Sequence, residues 1–172
     1  WGSTGGVAGN VTSSIVSGCV NTGNVTSLNS YAGGVAAYLS NANCTVSACY
    51  NLGMVSGGAD YTGGVVGKNT KGTINNCFNA GVVNGNGSVA GAVVGQMGNA
   101  DGVVKHLYYL EGTCSSGIGD AKDATTQIST AVNAKTLASA EFVALINAEM
   151  DTPVFVTGKF NPVFSGSCTH ID

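Results

Sequence analysis

Nine carboxylates, two histidines and six cysteines are the side chains of this 172-residue chain best suited to chemistry. The carboxylates are Asp60, Asp101, Glu111, Asp120, Asp123, Glu141, Glu149, Asp151 and Asp172. Cleaving a polysaccharide needs paired carboxylates, or a calcium cluster with a base, set on one groove. Only Asp60 and Asp101 precede Glu111, and they do not hold matching places in the sequence. Asp120 and Asp123 share a Gly-containing loop, which reads either as a weak cation site or as a solvated loop. His106 stands beside Lys105 and His170 lies near the last residue; neither has a neighbour that suggests a catalytic triad. The expectation is a non-enzymatic chain with no cofactor and no metal.

The cysteines are Cys19, Cys44, Cys49, Cys77, Cys114 and Cys168. Zinc would call for a C-x-x-C pair or a nearby His, and neither is present. Buried thiols acting as small apolar side chains are the simpler reading for Cys19, Cys49 and Cys77. Cys114 and Cys168 flank the C-terminal segment and are a candidate disulfide pair, which leaves Cys44 as a loop thiol.

Composition narrows the classes further. Arg is absent, the six Lys are scattered and the net charge is −3, so a nucleic-acid partner is not expected. No apolar run approaches the ~20 residues that span a bilayer. Charged residues make up only 9% of the chain while Gly reaches 27 residues, without a three-residue period. Such a sequence is read as one rich in turns and tight backbone approaches. It opens at Trp1-Gly2 inside a repeat, without a signal peptide, as expected of a piece of a longer protein.

The elements that position these residues are repeats. Tyr61-Thr62-Gly63-Gly64-Val65-Val66-Gly67 is followed by Thr73-Ile74-Asn75-Asn76-Cys77-Phe78-Asn79. The same order occurs around Gly6, Gly34 and, in weaker form, Ala92, at spacings of 28, 30 and 28 residues. A fixed period of this size marks a repeat architecture. Further columns align: Val16, Val46, Ile74 and Val104; Cys19, Cys49, Cys77 and Leu107; Asn21, Asn51 and Asn79; Val25, Val55 and Val83. Stacked coils demand like side chains at like positions. The expected fold is all-β: a right-handed parallel β-solenoid of about four coils over residues 1–113. Coils ~4.8 Å apart would make it roughly 15–19 Å long.

Three strands per coil are expected, at Gly64–Val66, Thr73–Phe78 and Val82–Val83 in the third copy. Ile74 and Cys77 lie three apart, which breaks the period of two and places a bend between them. The glycine pairs suit corners, and the Asn column suits an amide ladder or a set of separate turns.

Residues 114–172 differ in composition and read as a small α/β cap over the C-terminal sheet edge. Cys114–Asp123 reads as a loop. Lys135–Ala148 has helical spacing, with Leu137, Phe142, Leu145 and Ile146 on one face and Thr136 as the N-cap. Pro153–Val156 and Phe160–Phe164 read as short extended runs. The N-terminal coil has no comparable cover, so self-association through that edge is expected.

One column suggests recognition. Val20, Tyr50, Phe78 and Tyr108 each follow the Cys column. If Cys points inward, its neighbour points outward. Tyr50, Phe78 and Tyr108 then form a platform for a sugar or peptide ligand. Alternatively the position lies at a corner, and the rings turn inward or pack under a loop.

The repeats resemble the GLUG motif of bacterial surface proteins. Gly6-Val7-Ala8-Gly9 and Gly64-Val65-Val66-Gly67 carry it, Ala92-Val93-Val94-Gly95 less well, and Gly34-Val35-Ala36-Ala37 lacks the last Gly. Val replaces the motif's Leu throughout, and Asn76-Cys77-Phe78-Asn79 keeps the accompanying element. The run Leu107–Gly112, then Ala140–Asn147 and Asn161–Val163, is similar to the endings of such arrays in Gram-positive gut bacteria. The resemblance implies a non-catalytic structural or adhesive module of a secreted or cell-wall-attached protein. Its partners would be a host or extracellular glycan or protein, or neighbouring repeats of the parent chain. Such repeats also occur in the non-catalytic region of immunoglobulin-A-cleaving metalloproteases, whose His-Glu-x-x-His site is absent here. The alternative is a carbohydrate-binding or polysaccharide-processing module.

Overall fold

A computed structural model describes residues 2–28, 30–57, 60–86, 89–123 and 125–166. Short strands stack in parallel ladders to make a β-solenoid of about four turns. The first ladder is Thr4–Gly5, Ala32–Gly33, Tyr61–Gly63 and Val89–Gly91. The second is Ala8–Val11, Ala36–Leu39, Val66–Asn69, Val94–Met97 and Ile118–Asp120. The third is Ile15–Ser17, Thr45–Ser47, Thr73–Asn79, Val103–Leu110 and Thr130–Val132, and Val20–Asn21 and Tyr50–Asn51 extend it. The fourth is Val25–Ser27, Val55–Gly57 and Val83–Asn84.

The register reproduces the sequence columns. Val16 pairs with Val46, Val46 with Ile74, Ile74 with Val104, and Cys77 with Leu107. Inside the stack, Val35, Val65 and Val93 pack with Leu39, Met97, Ile74, Cys49 and Cys77. The Asn column is one continuous ladder. Asn21 Nδ2 donates to Asn51 Oδ1 at 2.7 Å, and Asn51 Nδ2 donates to Asn79 Oδ1 at 2.8 Å. Each of these amides also donates to the carbonyl two residues on, at Gly23, Gly53 and Gly81. A buried amide must be satisfied, and the coil spacing lets one side chain satisfy the next.

The Gly64–Val66 segment is not a strand. Gly64 and Val65 form a bend between Tyr61–Gly63 and Val66–Asn69. The Val65 and Val66 amides both donate to the Val93 carbonyl, at 2.9 and 3.0 Å, which turns the chain sharply. A Cβ on Gly64 would overlap the Ala92 carbonyl and the Asn79 amide. Close approach, rather than positive φ, therefore requires glycine there. The expected Val82–Val83 strand is shifted to Val83–Asn84.

The bend between Ile74 and Cys77 is real and recurs in every coil. Gly18, Ala48, Asn76 and His106 all have positive φ, between 50° and 63°. Three of these are not glycine, at a cost of roughly 1–2 kcal/mol each where no local bond compensates. The left-handed residue lets Ile74 and Cys77 both face the interior, and it turns Phe78 to the outer face.

The tail departs from expectation in several ways. The ladders do not stop at Thr113: Ile118–Asp120, within the expected loop, pairs with Val94–Met97, and Thr130–Val132 pairs with Tyr108–Leu110. The single expected helix is two, α1 (Ala134–Leu137) and α2 (Ala140–Ile146). Asn133 and Ser139 are the N-caps, accepting from the amides of Thr136 and Phe142, so Thr136 is not a cap. Ser139 is extended and breaks the helix in order to cap its second half. Leu137, Phe142 and Ile146 are buried, but Leu145 is 48% exposed.

The tail also lies elsewhere than expected. Rather than closing the C-terminal edge, α2 and the antiparallel pair Phe155–Val156 and Val163–Phe164 pack along the outer flank of the third ladder. They run from the level of Tyr108 back to that of Tyr50. This segment is a lateral strap. The bend presents a column of large rings there, and burying them favours this docking.

Candidate functional site

Tyr50, Phe78 and Tyr108 do form an in-register outward row. Tyr50 and Phe78 stack at 4.7 Å with rings 5° from parallel. The row is not a free platform, however. Phe142 meets Phe78 and Tyr108 edge-on at 6.0 and 5.0 Å, and Phe155 and Phe164 lean on Tyr50. The exposures of Tyr50, Phe78 and Tyr108 fall to 6%, 0% and 8%. Burial raises the phenol pKa of Tyr50 and Tyr108. The strap thus occupies the surface that the sequence offered to a ligand. Cys114 is half-buried, and its expected partner Cys168 lies outside the described residues.

The strap is held by polar contacts at the same bend. Asn76 Nδ2 donates to the carbonyls of Ile146 and Ala148, at the end of α2. One coil on, Lys105 Nζ reaches Glu149 at 2.8 Å, and His106 Nε2 lies 3.5 Å from its other oxygen. Hydrogen bonding to Lys105 holds the Glu149 carboxyl below its usual range. Beside them is a cleft of about 290 Å³, lined by Lys105, His106, Tyr108, Thr126, Thr130 and Glu149 among others. The Glu149 carboxylate accepts from the Lys105 ammonium and thereby holds the strap.

Three other acids are engaged locally. Asp101 pairs with Lys71 at 3.0 Å. Asp120 accepts from Gln96 and Lys122, and these bonds lower its pKa. Asp123 accepts from Thr125 and Thr126, above all from the Thr125 hydroxyl, which brings its pKa to about 2. Asp120 and Asp123 therefore turn to separate donors. Among the described residues, no three His, Cys, Asp or Glu side chains converge as a metal set.

A second aromatic group gathers around the bends at Gly34 and Gly64. Tyr31 and Tyr61, on successive coils, stack at 5.9 Å with rings 25° apart. Tyr38 tilts against Tyr31 at 5.2 Å. Lys68 pairs in register with Tyr38, and its ammonium lies 5.1 and 5.4 Å from the Tyr31 and Tyr61 ring centres. It also approaches the Tyr31 hydroxyl at 3.4 Å. All three rings and Lys68 are half-buried. Among the described residues the ion pairs to carboxylates come from Lys71, Lys105, Lys122 and His106, not from Lys68. The register continues from Lys68 to Gln96 and Asp120. Gln96 is 7% exposed; its Nε2 donates to Asp120, and its buried Oε1 has no partner among the described residues. Sequence reasoning misses this cluster, although Tyr31 and Tyr61 open successive repeats and carry the signal.

No family model matches the chain, and no curated protein matches it. Among solved structures it is similar to the crystal structure of a putative immunoglobulin A1 protease from Bacteroides ovatus, with a TM-score of 0.72 and 22% identity. The match covers 96% of this chain and 54% of that one, so the chain spans about half the length of its structural neighbour. At this identity the likeness is one of fold.

Proposed function

We propose that this chain is a non-catalytic structural and adhesive module, built from GLUG-like repeats, of a secreted or cell-wall-attached bacterial protein. The observation that carries the reading is how the recurring columns are used. The Cys, Asn and Val columns stack or bond with their own copies inside the wall, and the outer aromatic column is covered by the strap. The repeat is thus devoted to building a stiff rod. Likeness in fold to a Bacteroides protein supports a bacterial setting. The protease activity in that protein's name is not carried over, because this sequence has no His-Glu-x-x-His run. The test is twofold. Antibodies to the chain should label intact cells of the source bacterium or its culture medium, and beads coated with the pure protein should adhere to extracellular matrix or host cells. Cleavage of immunoglobulin A or of a polysaccharide panel by pure protein, lost in Asp60→Asn or Asp101→Asn, would overturn it.

The same proposal includes contact through the first coil, whose strands are hydrogen-bonded on one side only among the described residues. Val7, Ile15, Val20 and Leu28 are exposed there. A second copy or further coils of a parent chain would cover such an edge. Light scattering over a concentration series should show association that Val7→Pro weakens.

A carbohydrate-binding module is the second reading. The half-exposed cluster of Tyr31, Tyr38, Tyr61 and Lys68 favours it, since sugar rings present apolar C–H faces to aromatic side chains.

A further inference from the structure

We propose that the cluster of Tyr31, Tyr38, Tyr61 and Lys68, with Gln96 beside it, binds a carboxylate-bearing sugar within an oligosaccharide. The inference rests on the carbohydrate-binding reading and names its ligand class. Three features specify it. The stacked Tyr31 and Tyr61 rings, with Tyr38 tilted against them, offer aromatic surface at half-exposed positions. Lys68 holds its ammonium against that surface, while the ion pairs to carboxylates formed by other lysines among the described residues bypass it. Gln96, the neighbour of Lys68 in the ladder, keeps a buried carbonyl oxygen without a donor among the described residues.

A buried acceptor without a partner is costly. A sugar hydroxyl supplies the missing donor when the Gln96 amide, closed from solvent in the free chain, turns outward to meet it. The sugar's carboxylate supplies the anion for Lys68, and its C–H face lies on the rings. A neutral sugar satisfies only two of the three features. The parallel register adds a further point: successive positions along this face are ~4.8 Å apart, close to the length of one pyranose ring. An extended oligosaccharide lying along the stack can therefore meet Tyr38, Lys68 and Gln96 with neighbouring units.

The probe is an oligomer of galacturonic acid, compared with the same oligomer methyl-esterified. Binding to the full chain is followed by titration and by the ring signals of 13C-labelled tyrosines. The acidic oligomer should shift Tyr31, Tyr38 and Tyr61 while leaving the strap-covered Tyr50 and Tyr108 unmoved. Esterification should weaken binding at least tenfold, and so should Lys68→Gln. Tyr61→Ala should abolish binding with an unchanged circular dichroism spectrum; if that variant fails to fold, Lys68→Gln carries the test alone. Equal binding of the esterified oligomer would sink the acidic-sugar assignment and leave carbohydrate binding standing. Absence of ring shifts with both oligomers would sink both. Tighter binding of a glutamate-rich peptide at the same rings would also overturn the assignment, in favour of a protein ligand.

Discussion

Asn76 Nδ2 lies 2.8 Å from the carbonyl oxygen of Ile146, a residue seventy positions later, and 2.9 Å from that of Ala148. Asn76 is at once the left-handed residue of the third coil and the clasp for the end of α2. Asn76→Gly keeps the backbone geometry and loses both bonds, so it should cost about 1–3 kcal/mol. Asn76→Ala should cost about 1 kcal/mol more, because alanine resists that φ. Urea melts would rank the variants, and amide exchange should quicken first in α2. Equal stability of all three proteins would contradict the clasp.

The amide ladder predicts a difference between its middle and its end. Asn51→Ala removes the acceptor for Asn21, the donor to Asn79 and the donor to the Gly53 carbonyl, all buried or nearly so. A loss of about 3 kcal/mol or more is expected. Asn21→Ala, at the end of the ladder, should cost about half as much. Denaturant midpoints of the two variants test the order, and a larger loss at Asn21 would rule the ladder out as the source.

The strap makes opposite predictions for two residues of α2. Phe142 is fully buried between Phe78 and Tyr108, so Phe142→Ala should destabilise by about 3–5 kcal/mol. Leu145 points to solvent, and Leu145→Ala should stay within about 0.5 kcal/mol of the parent. Deleting residues 134–172 should leave strand content nearly unchanged by circular dichroism. It should also raise binding of a hydrophobic dye, because the row of Tyr50, Phe78 and Tyr108 would be bared. A truncation that binds no dye would show that the row is buried by something else.

Acid should loosen the strap at Glu149. Its pKa is lowered in the folded protein, chiefly by the hydrogen bond from Lys105. A depressed carboxyl pKa contributes stability above the unfolded value, near 4.3 for Glu, and that contribution is lost as pH falls through the lower folded value. The pair is exposed, so the effect is small. Comparing urea midpoints of the parent and Glu149→Gln at pH 7 and pH 3 should show a parental advantage only at pH 7. An advantage that persists in acid would assign the effect to packing.

The stack is legible in the sequence because a parallel in-register solenoid places every inward residue of the repeats 28 or 30 positions from its partner in the next repeat. Val46, Ile74 and Val104, or Asn51 and Asn79, align by counting along the chain alone. Strand limits near Gly64 are not legible, since two amides converging on the Val93 carbonyl depend on the neighbouring coil. The outward turn of Phe78 is legible from its place after Cys77, but the cover over it is not. That cover joins residues far apart in sequence through ring contacts without a period. The Tyr31 and Tyr38 rings escape notice for a related reason: seven residues separate them, and only the bend after Gly33 folds one against the other.

The route of the strap bears on how the molecule assembles. Each coil closes on the previous one across 28 or 30 residues, so winding proceeds in equal, modest steps from any starting turn. The clasp at Asn76 closes some seventy residues, and Phe164 reaches Tyr50 across more than a hundred. Loop-closure entropy rises only slowly with length, by about 0.6 kcal/mol per doubling. The greater obstacle is that the strap's landing site spans three coils and does not exist until they are wound. Refolding should therefore show ladder formation first and quenching of the aromatic row afterwards. A chain stalled between the two would be a finished rod with a sticky flank, the species that a second chain's strap would capture by domain swapping.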